Sequence, residues 1–133
     1  MSDASDPAFG QRRTVLVLDD EASLRSVMRR ILEKNGFEVV EARTAPEAFD
    51  IMDRSGDAVV LIICDLVLPG LGGREAGNIF QARAPEVPVL FTSGYSSFSS
   101  GRREVQESGH PFLAKPFDVD EFTDAVQEAL GEA

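Results

Sequence analysis

The residues at 58–64, Ala-Val-Val-Leu-Ile-Ile-Cys, carry no charge and no hydroxyl, and the run ends abruptly at Asp65. A strand with one wet face alternates apolar and polar side chains, whereas an unbroken run is buried on both faces. The run is far too short to cross a bilayer as a helix. It therefore predicts a central strand covered on both sides. The chain repeats this theme. Thr14–Leu18 is a second apolar run, closed by Asp19, Asp20 and Glu21. Further strands are expected at 37–42, at 87–92 ahead of Ser93 and Gly94, and at Phe112–Ala114 ahead of Lys115 and Pro116.

Helical patterns separate these runs. Leu24, Val27, Met28, Ile31 and Leu32 fall on one helix face, and Gly36 stands where a helix stops. Thr44 and Glu47 form a capping box, with Pro46 favouring a helix start, and open a helix through Met52. A loop with Pro69, Gly70, Gly72 and Gly73 leads to a helix using Ala76, Ile79 and Phe80. The serine-rich stretch 96–108, anchored only by Phe98 and Val105, predicts a weak helix. Asp118 and Glu121 form a second capping box before a helix carrying Phe122, Ala125, Val126 and Leu130. Residues 1–13 read as a disordered leader and 14–131 as one domain, with no internal repeat.

Strands joined by single helices argue for an α/β fold: one doubly wound, five-stranded parallel sheet with helices on both faces. The order 2-1-3-4-5 is borrowed from flavodoxin-like sheets of this size. Composition narrows the function. The formal net charge of −10 disfavours nucleic acid and anionic membrane surfaces as partners. A single cysteine, Cys64, excludes an intramolecular disulfide and fits a reducing compartment. Residues 1–11 lack the apolar core of a secretory signal, so a cytoplasmic location is expected.

In open α/β sheets ligands bind beyond the carboxyl ends of the strands. Asp19 and Asp20 follow strand 1, Asp65 strand 3, Ser93 strand 4 and Lys115 strand 5, so all should face one crevice. Each alone has an ordinary reading: a helix cap, an Asx turn, a turn serine, a solvated lysine. Together they form a constellation. Crowded carboxylates need a cation, and an oxygen-only ligand set favours Mg²⁺ over zinc. Asp20 and Asp65 would ligate it directly, with Asp19 acting through water. Three carboxylates, Mg²⁺ and one lysine bring the pocket near neutrality, ready for a phosphoryl group. Asp65 is then the nucleophile, Ser93 a hydrogen-bond donor to a phosphoryl oxygen and Lys115 a point charge.

These motifs, Asp19-Asp20, Asp65-Leu-Val-Leu-Pro69, Thr92-Ser93-Gly94 and Lys115-Pro116-Phe117, resemble the receiver domain of two-component response regulators in order and spacing. The resemblance covers about residues 14–130. It implies Mg²⁺-dependent phosphotransfer to Asp65 from the phosphohistidine of a sensor histidine kinase or histidine phosphotransfer protein, with slow self-hydrolysis and no other enzymatic activity. It implies metal ligands Asp19, Asp20, Asp65 and Val67, a switch pair Ser93 and Phe112, and a cis Lys115-Pro116 bond. Output would pass through a protein-binding face formed by residues 96–108, the fifth strand and the last helix, or by phosphorelay. The Thr-Ser-Gly-Tyr and Phe-Leu-Ala-Lys-Pro-Phe segments are similar to receivers attached to hybrid sensor kinases.

The sequence departs from the family at four places. Phe112 lacks the hydroxyl of the usual tyrosine, so its switching would be by packing alone. Gly72 stands where an aspartate is usual. Val67 and Tyr95 flank the expected path of hydrolytic water without an acid or amide to orient it, which predicts slow dephosphorylation. His110 in a Gly-His-Pro turn reads as a surface residue, Cys64 as core, and Arg102 and Arg103 as a solvated helix face. The alternative reading is a Mg²⁺-dependent aspartyl-phosphate phosphatase of the haloacid dehalogenase type. It wants Asp-x-Asp after strand 1, where this chain has Asp-Asp-Glu. A dinucleotide site lacks its Gly-rich turn, and a degenerate docking module would not keep every site position filled.

Overall fold

The computed structural model describes residues 13–94 and 109–131. Five strands, β1 (Thr14–Leu18), β2 (Glu38–Ala42), β3 (Val59–Asp65), β4 (Val89–Ser93) and β5 (Phe112–Ala114), form one sheet in the order β2-β1-β3-β4-β5. Every neighbouring pair is parallel. The helices described are α1 (Ala22–Lys34), α2 (Ala45–Ser55), α3 (Gly73–Arg83) and α4 (Val119–Ala129), with a 3₁₀ turn at Gly56–Ala58.

Strand alternation sorts the core into two layers, one on each side of the sheet. Val15, Val17, Leu61, Ile63 and Leu90 pack with Met28 and Leu32 of α1 and Phe122 and Val126 of α4. Leu16, Leu18, Ile62, Cys64 and Phe91 pack with Ala48 of α2 and Ala76 and Phe80 of α3. The uninterrupted apolarity of β1 and β3 is thus the signature of strands wetted on neither face.

The elements differ from their sequence limits in informative ways. Val27, expected on the buried stripe of α1, is 48% exposed, while Met28, Ile31 and Leu32 carry the packing. The α2 helix continues past Met52 to Ser55. Its capping box is half formed: Thr44 accepts from the Glu47 N–H at 3.3 Å, but Glu47 reaches back to the Arg43 N–H rather than that of Thr44. The box at α4 closes in both directions, between Asp118 and Glu121 at 2.8 and 2.9 Å. Gly73, expected in a loop, opens α3, and Phe37, Ala58, Val87 and Pro88 precede their strands. Asp65 and Ser93 are the last residues of β3 and β4, not the first beyond them. Gly36 closes α1 with φ +90°, and the Lys115-Pro116 peptide is cis. The leader, apart from Arg13, and the weak helix at 96–108 with Arg102 and Arg103 lie outside the described residues.

Candidate functional site at the carboxyl edge of the sheet

The parallel register carries the ends of β1, β3, β4 and β5 to the same edge. Leu18 pairs with Cys64, Asp65 with Thr92, and Ser93 with Ala114, so the polar residues at those ends become neighbours. Asp19, Asp20 and Asp65 each offer a carboxylate oxygen within 4.8 Å of the other two. Asp19 is 1% exposed and Asp65 5%, while Asp20 lies at the surface. The Lys115 ammonium stands between the two buried acids, donating to Asp19 Oδ2 at 2.9 Å and to Asp65 Oδ2 at 3.2 Å. The other oxygens of those acids are also held. Asp19 Oδ1 accepts from the Glu21 N–H at 2.8 Å, and Asp65 Oδ1 from the Val67 N–H at 3.0 Å.

The electrostatics follow from burial and crowding. Burial raises the Asp65 pKa and the Asp19 charge raises it further; the Val67 N–H and Lys115 oppose this without cancelling it. For Lys115 burial pulls downward, but the hydrogen bond to Asp19 and the charges of Asp65 and Asp19 leave its pKa raised. Cys64, wholly buried and beside the same two acids, has its thiol pushed far above the usual range, consistent with a core role.

Two buried hydroxyls close the edge. The side-chain oxygens of Thr92 and Ser93 are buried with no hydrogen-bond partner among the described residues, an arrangement that ordinarily costs free energy. An anion bound at the strand ends would give the Ser93 hydroxyl an acceptor. The edge can therefore hold a divalent cation among oxygens. It can also present the Asp65 carboxylate, held by an ammonium at an edge that Ser93 shares as the last residue of β4, to an electrophile that gathers negative charge. The oxygen-only donor set fits Mg²⁺.

All the sequence candidates at the strand ends are brought together: Asp19, Asp20, Asp65, Ser93 and Lys115. Val67 sits two residues beyond Asp65 and is 57% exposed; its hydrocarbon side chain offers no donor atom, so any ligation would use its backbone carbonyl. Phe112 is half-buried, aligned with Phe91 across β4 and β5 and packed on the α2–α3 layer. His110 is not a free surface residue; its ring meets Phe91 edge-on at 5.4 Å. Tyr95 lies outside the described residues.

Two contributors escaped the sequence reading. Gly73 has no room for a side chain: a Cβ there would stand 1.9 Å from the Asp65 carbonyl oxygen. Arg25 of α1 donates to the Asp19 carbonyl oxygen at 2.7 Å and to Glu41 at 2.9 Å. Their sequence signals, a glycine after a glycine and an arginine on an amphipathic helix, are ordinary.

A family model described as the response regulator receiver domain matches residues 15–127. Sensor kinase CckA of Brucella abortus is 31% identical over 117 residues, covering 88% of this chain and 12% of that protein. Sporulation initiation phosphotransferase F of Bacillus subtilis is 26% identical over 116 residues, covering 87% of this chain and 92% of that one. The crystal structure of the receiver domain of NtrX from Brucella abortus superposes with a TM-score of 0.79 at 28% identity, covering 90% of this chain and 99% of that chain. The chain spans 25% of the length of a third relative, the C4-dicarboxylate transport transcriptional regulatory protein DctD of Rhizobium meliloti.

Proposed function

The chain belongs to the response regulator receiver family, phosphoacceptor switches of two-component signalling, and we propose that Asp65 is its acceptor. The carrying observation is the pairing of Asp65, through one ammonium, with a second buried acid, at an edge where the Ser93 hydroxyl has no partner among the described residues. The Asp65 carboxylate attacks the phosphorus of a phosphohistidine; a P–O bond forms, the P–N bond breaks, and the imidazole leaves with the bond pair and takes up a proton. Lys115 and the Ser93 hydroxyl meet the phosphoryl oxygens. Asp20 and Asp65, the Val67 carbonyl, and Asp19 through water would hold Mg²⁺. When bound, Mg²⁺ supplies positive charge against the oxygens of the transferring group.

The donor is a sensor histidine kinase or a histidine phosphotransfer protein, and the downstream target is a protein. Among the described residues no helix is long and apolar enough to cross a membrane. The acidic charge and single cysteine support cytoplasmic signalling. Modification would draw the Ser93 hydroxyl toward the phosphoryl group and turn the Phe112 ring inward, changing the surface around β5 and α4. The module catalyses its own phosphorylation and slow dephosphorylation and turns over no other substrate. The phosphatase alternative is not favoured by the family match.

The test is intact mass after incubation with phosphoramidate and Mg²⁺, beside Asp65→Asn. One added phosphoryl group is expected in wild type, lost in hydroxylamine and absent from the variant. An adduct that survives in Asp65→Asn, or phosphate release with no adduct, would overturn the assignment.

A further inference from the structure

Asp20 is the only one of the three clustered acids whose carboxylate has no hydrogen bond or ion pair among the described residues. Lys115 and a backbone N–H hold each of the other two. The aim of Asp20 is therefore set by its backbone, and the decisive peptide is the planar unit joining Asp19 to Asp20. Its carbonyl oxygen accepts from Arg25 Nη1 at 2.7 Å. The same guanidinium donates through Nε to Glu41 at 2.9 Å, and its side chain is only 12% exposed. Glu41 in turn accepts from Arg29 at 2.6 Å. It precedes Ala42, whose carbonyl receives the Asp19 N–H at 3.1 Å. The rigid guanidinium fork thus ties the β1–α1 turn to the end of β2 and fixes the peptide plane that orients Asp20.

We infer that Arg25 is a positioning residue for the divalent cation site: by clamping the Asp19 carbonyl, it aims the Asp20 carboxylate at the crevice. This rests on the reading above that Asp20 is a metal ligand. The sign of the effect separates positioning from simple charge. A cation beside the site repels Mg²⁺, so removing Arg25 as a mere charge would tighten Mg²⁺ binding, whereas removing a clamp weakens it.

The test is Mg²⁺ affinity of the unphosphorylated protein, from amide chemical-shift titration, for wild type, Arg25→Met, Glu41→Gln and Asp20→Asn. Removing partners that orient metal ligands usually weakens affinity 10–100-fold, and Arg25→Met is expected at about the lower end. Glu41→Gln loosens the outer contact but spares the Arg25–Asp19 bond, so it should stay within about twofold of wild type. Faster hydrogen exchange at the Glu21 amide should accompany the loss in Arg25→Met. Unchanged or tighter Mg²⁺ binding in Arg25→Met, with loss in Asp20→Asn, overturns the positioning role alone. Undiminished binding in Asp20→Asn overturns the metal-site reading beneath it. If Arg25→Met does not fold, Arg25→Lys carries the test: it keeps the charge and loses the fork, and wild-type affinity there would equally refute the inference.

Discussion

Asp65→Asn should make the metal-free protein more stable, and the geometry gives the reason. With an effective dielectric of about 20, the Asp65 charge is repelled by Asp19, at a spacing of up to 4.8 Å, by at least about 3.5 kcal/mol. Asp20, at the surface, adds less because solvent screens it. The attraction to Lys115 at 3.2 Å is worth about 5 kcal/mol on the same scale. The pairwise terms therefore nearly cancel. What decides the sign is burial: a carboxylate 5% exposed has lost most of its hydration, at a cost that runs to several kcal/mol before hydrogen bonds offset it. The raised pKa of Asp65 points the same way, with burial as its first cause. Asparagine keeps the shape and can still accept from the Val67 N–H.

The expected gain at pH 7 in EDTA is about 1–3 kcal/mol, or roughly 4–12 °C in Tm for a domain of this size. The pH dependence supplies a second check. A carboxyl with a raised folded pKa binds its proton more tightly in the folded state, so its contribution is most favourable below the ordinary Asp value of about 4 and is lost as pH rises through the raised value. The advantage of Asp65→Asn should accordingly shrink on acidification from neutrality. Thermal melts in EDTA from pH 7 to pH 4 measure both. A variant that melts below wild type at pH 7, or an advantage that persists undiminished at pH 4, would refute the reasoning.

Gly73→Ala places a Cβ against the Asp65 carbonyl and must displace the start of α3, costing about 1–3 kcal/mol by overpacking despite alanine's better helix propensity; a urea midpoint equal to wild type would contradict it. Val67→Asn supplies an amide beside the acceptor, and loss of phosphate should quicken by about tenfold, equivalent to roughly 1.4 kcal/mol of barrier. An unchanged half-life of the phosphorylated protein would show that water is not oriented from that position. Glu41 has its pKa lowered by the Arg29 hydrogen bond, assisted by Arg25 against burial. Its stabilisation is therefore full above the ordinary Glu range and is lost as pH falls through the depressed value. Glu41→Gln should cost about 1–2 kcal/mol at pH 7 and flatten the acid limb of the stability curve; an acid limb of wild-type steepness would refute it.

The sheet and most of the site were legible because they depend on residue type at element ends. Apolar runs with no alternation demand a doubly covered sheet, and the residues that break such runs must lie at its edge. Asp19, Asp65 and Lys115 needed only that rule and a strand order to become neighbours. Val27 reads as buried in the sequence because a wide helical stripe contains a margin, and which side of it faces the sheet depends on the crossing of α1 over β1 and β2. His110 reads as turn punctuation, since nothing local reveals that Phe91, far along the chain, offers an aromatic partner. Arg25 and Gly73 were invisible for a related reason: their work is done on the backbone of Asp19 and Asp65, and a carbonyl acceptor leaves no trace in residue identity.

The charges at the strand ends explain why one structure can respond to both a metal and a phosphoryl group. Asp19, Asp20, Asp65 and Lys115 leave the edge with an excess of negative charge, partly buried, in a fold that orients it through short hydrogen bonds. A site relieved by the same ion it would bind is destabilised when empty, so the strain measured in EDTA and the stabilisation gained from Mg²⁺ should be two views of one interaction. Replacing Asp65 should raise the first stability and shrink the second. If the first change occurs without the second, Asp65 is a buried charge that the cation does not meet, and the acceptor would have to work without direct ligation.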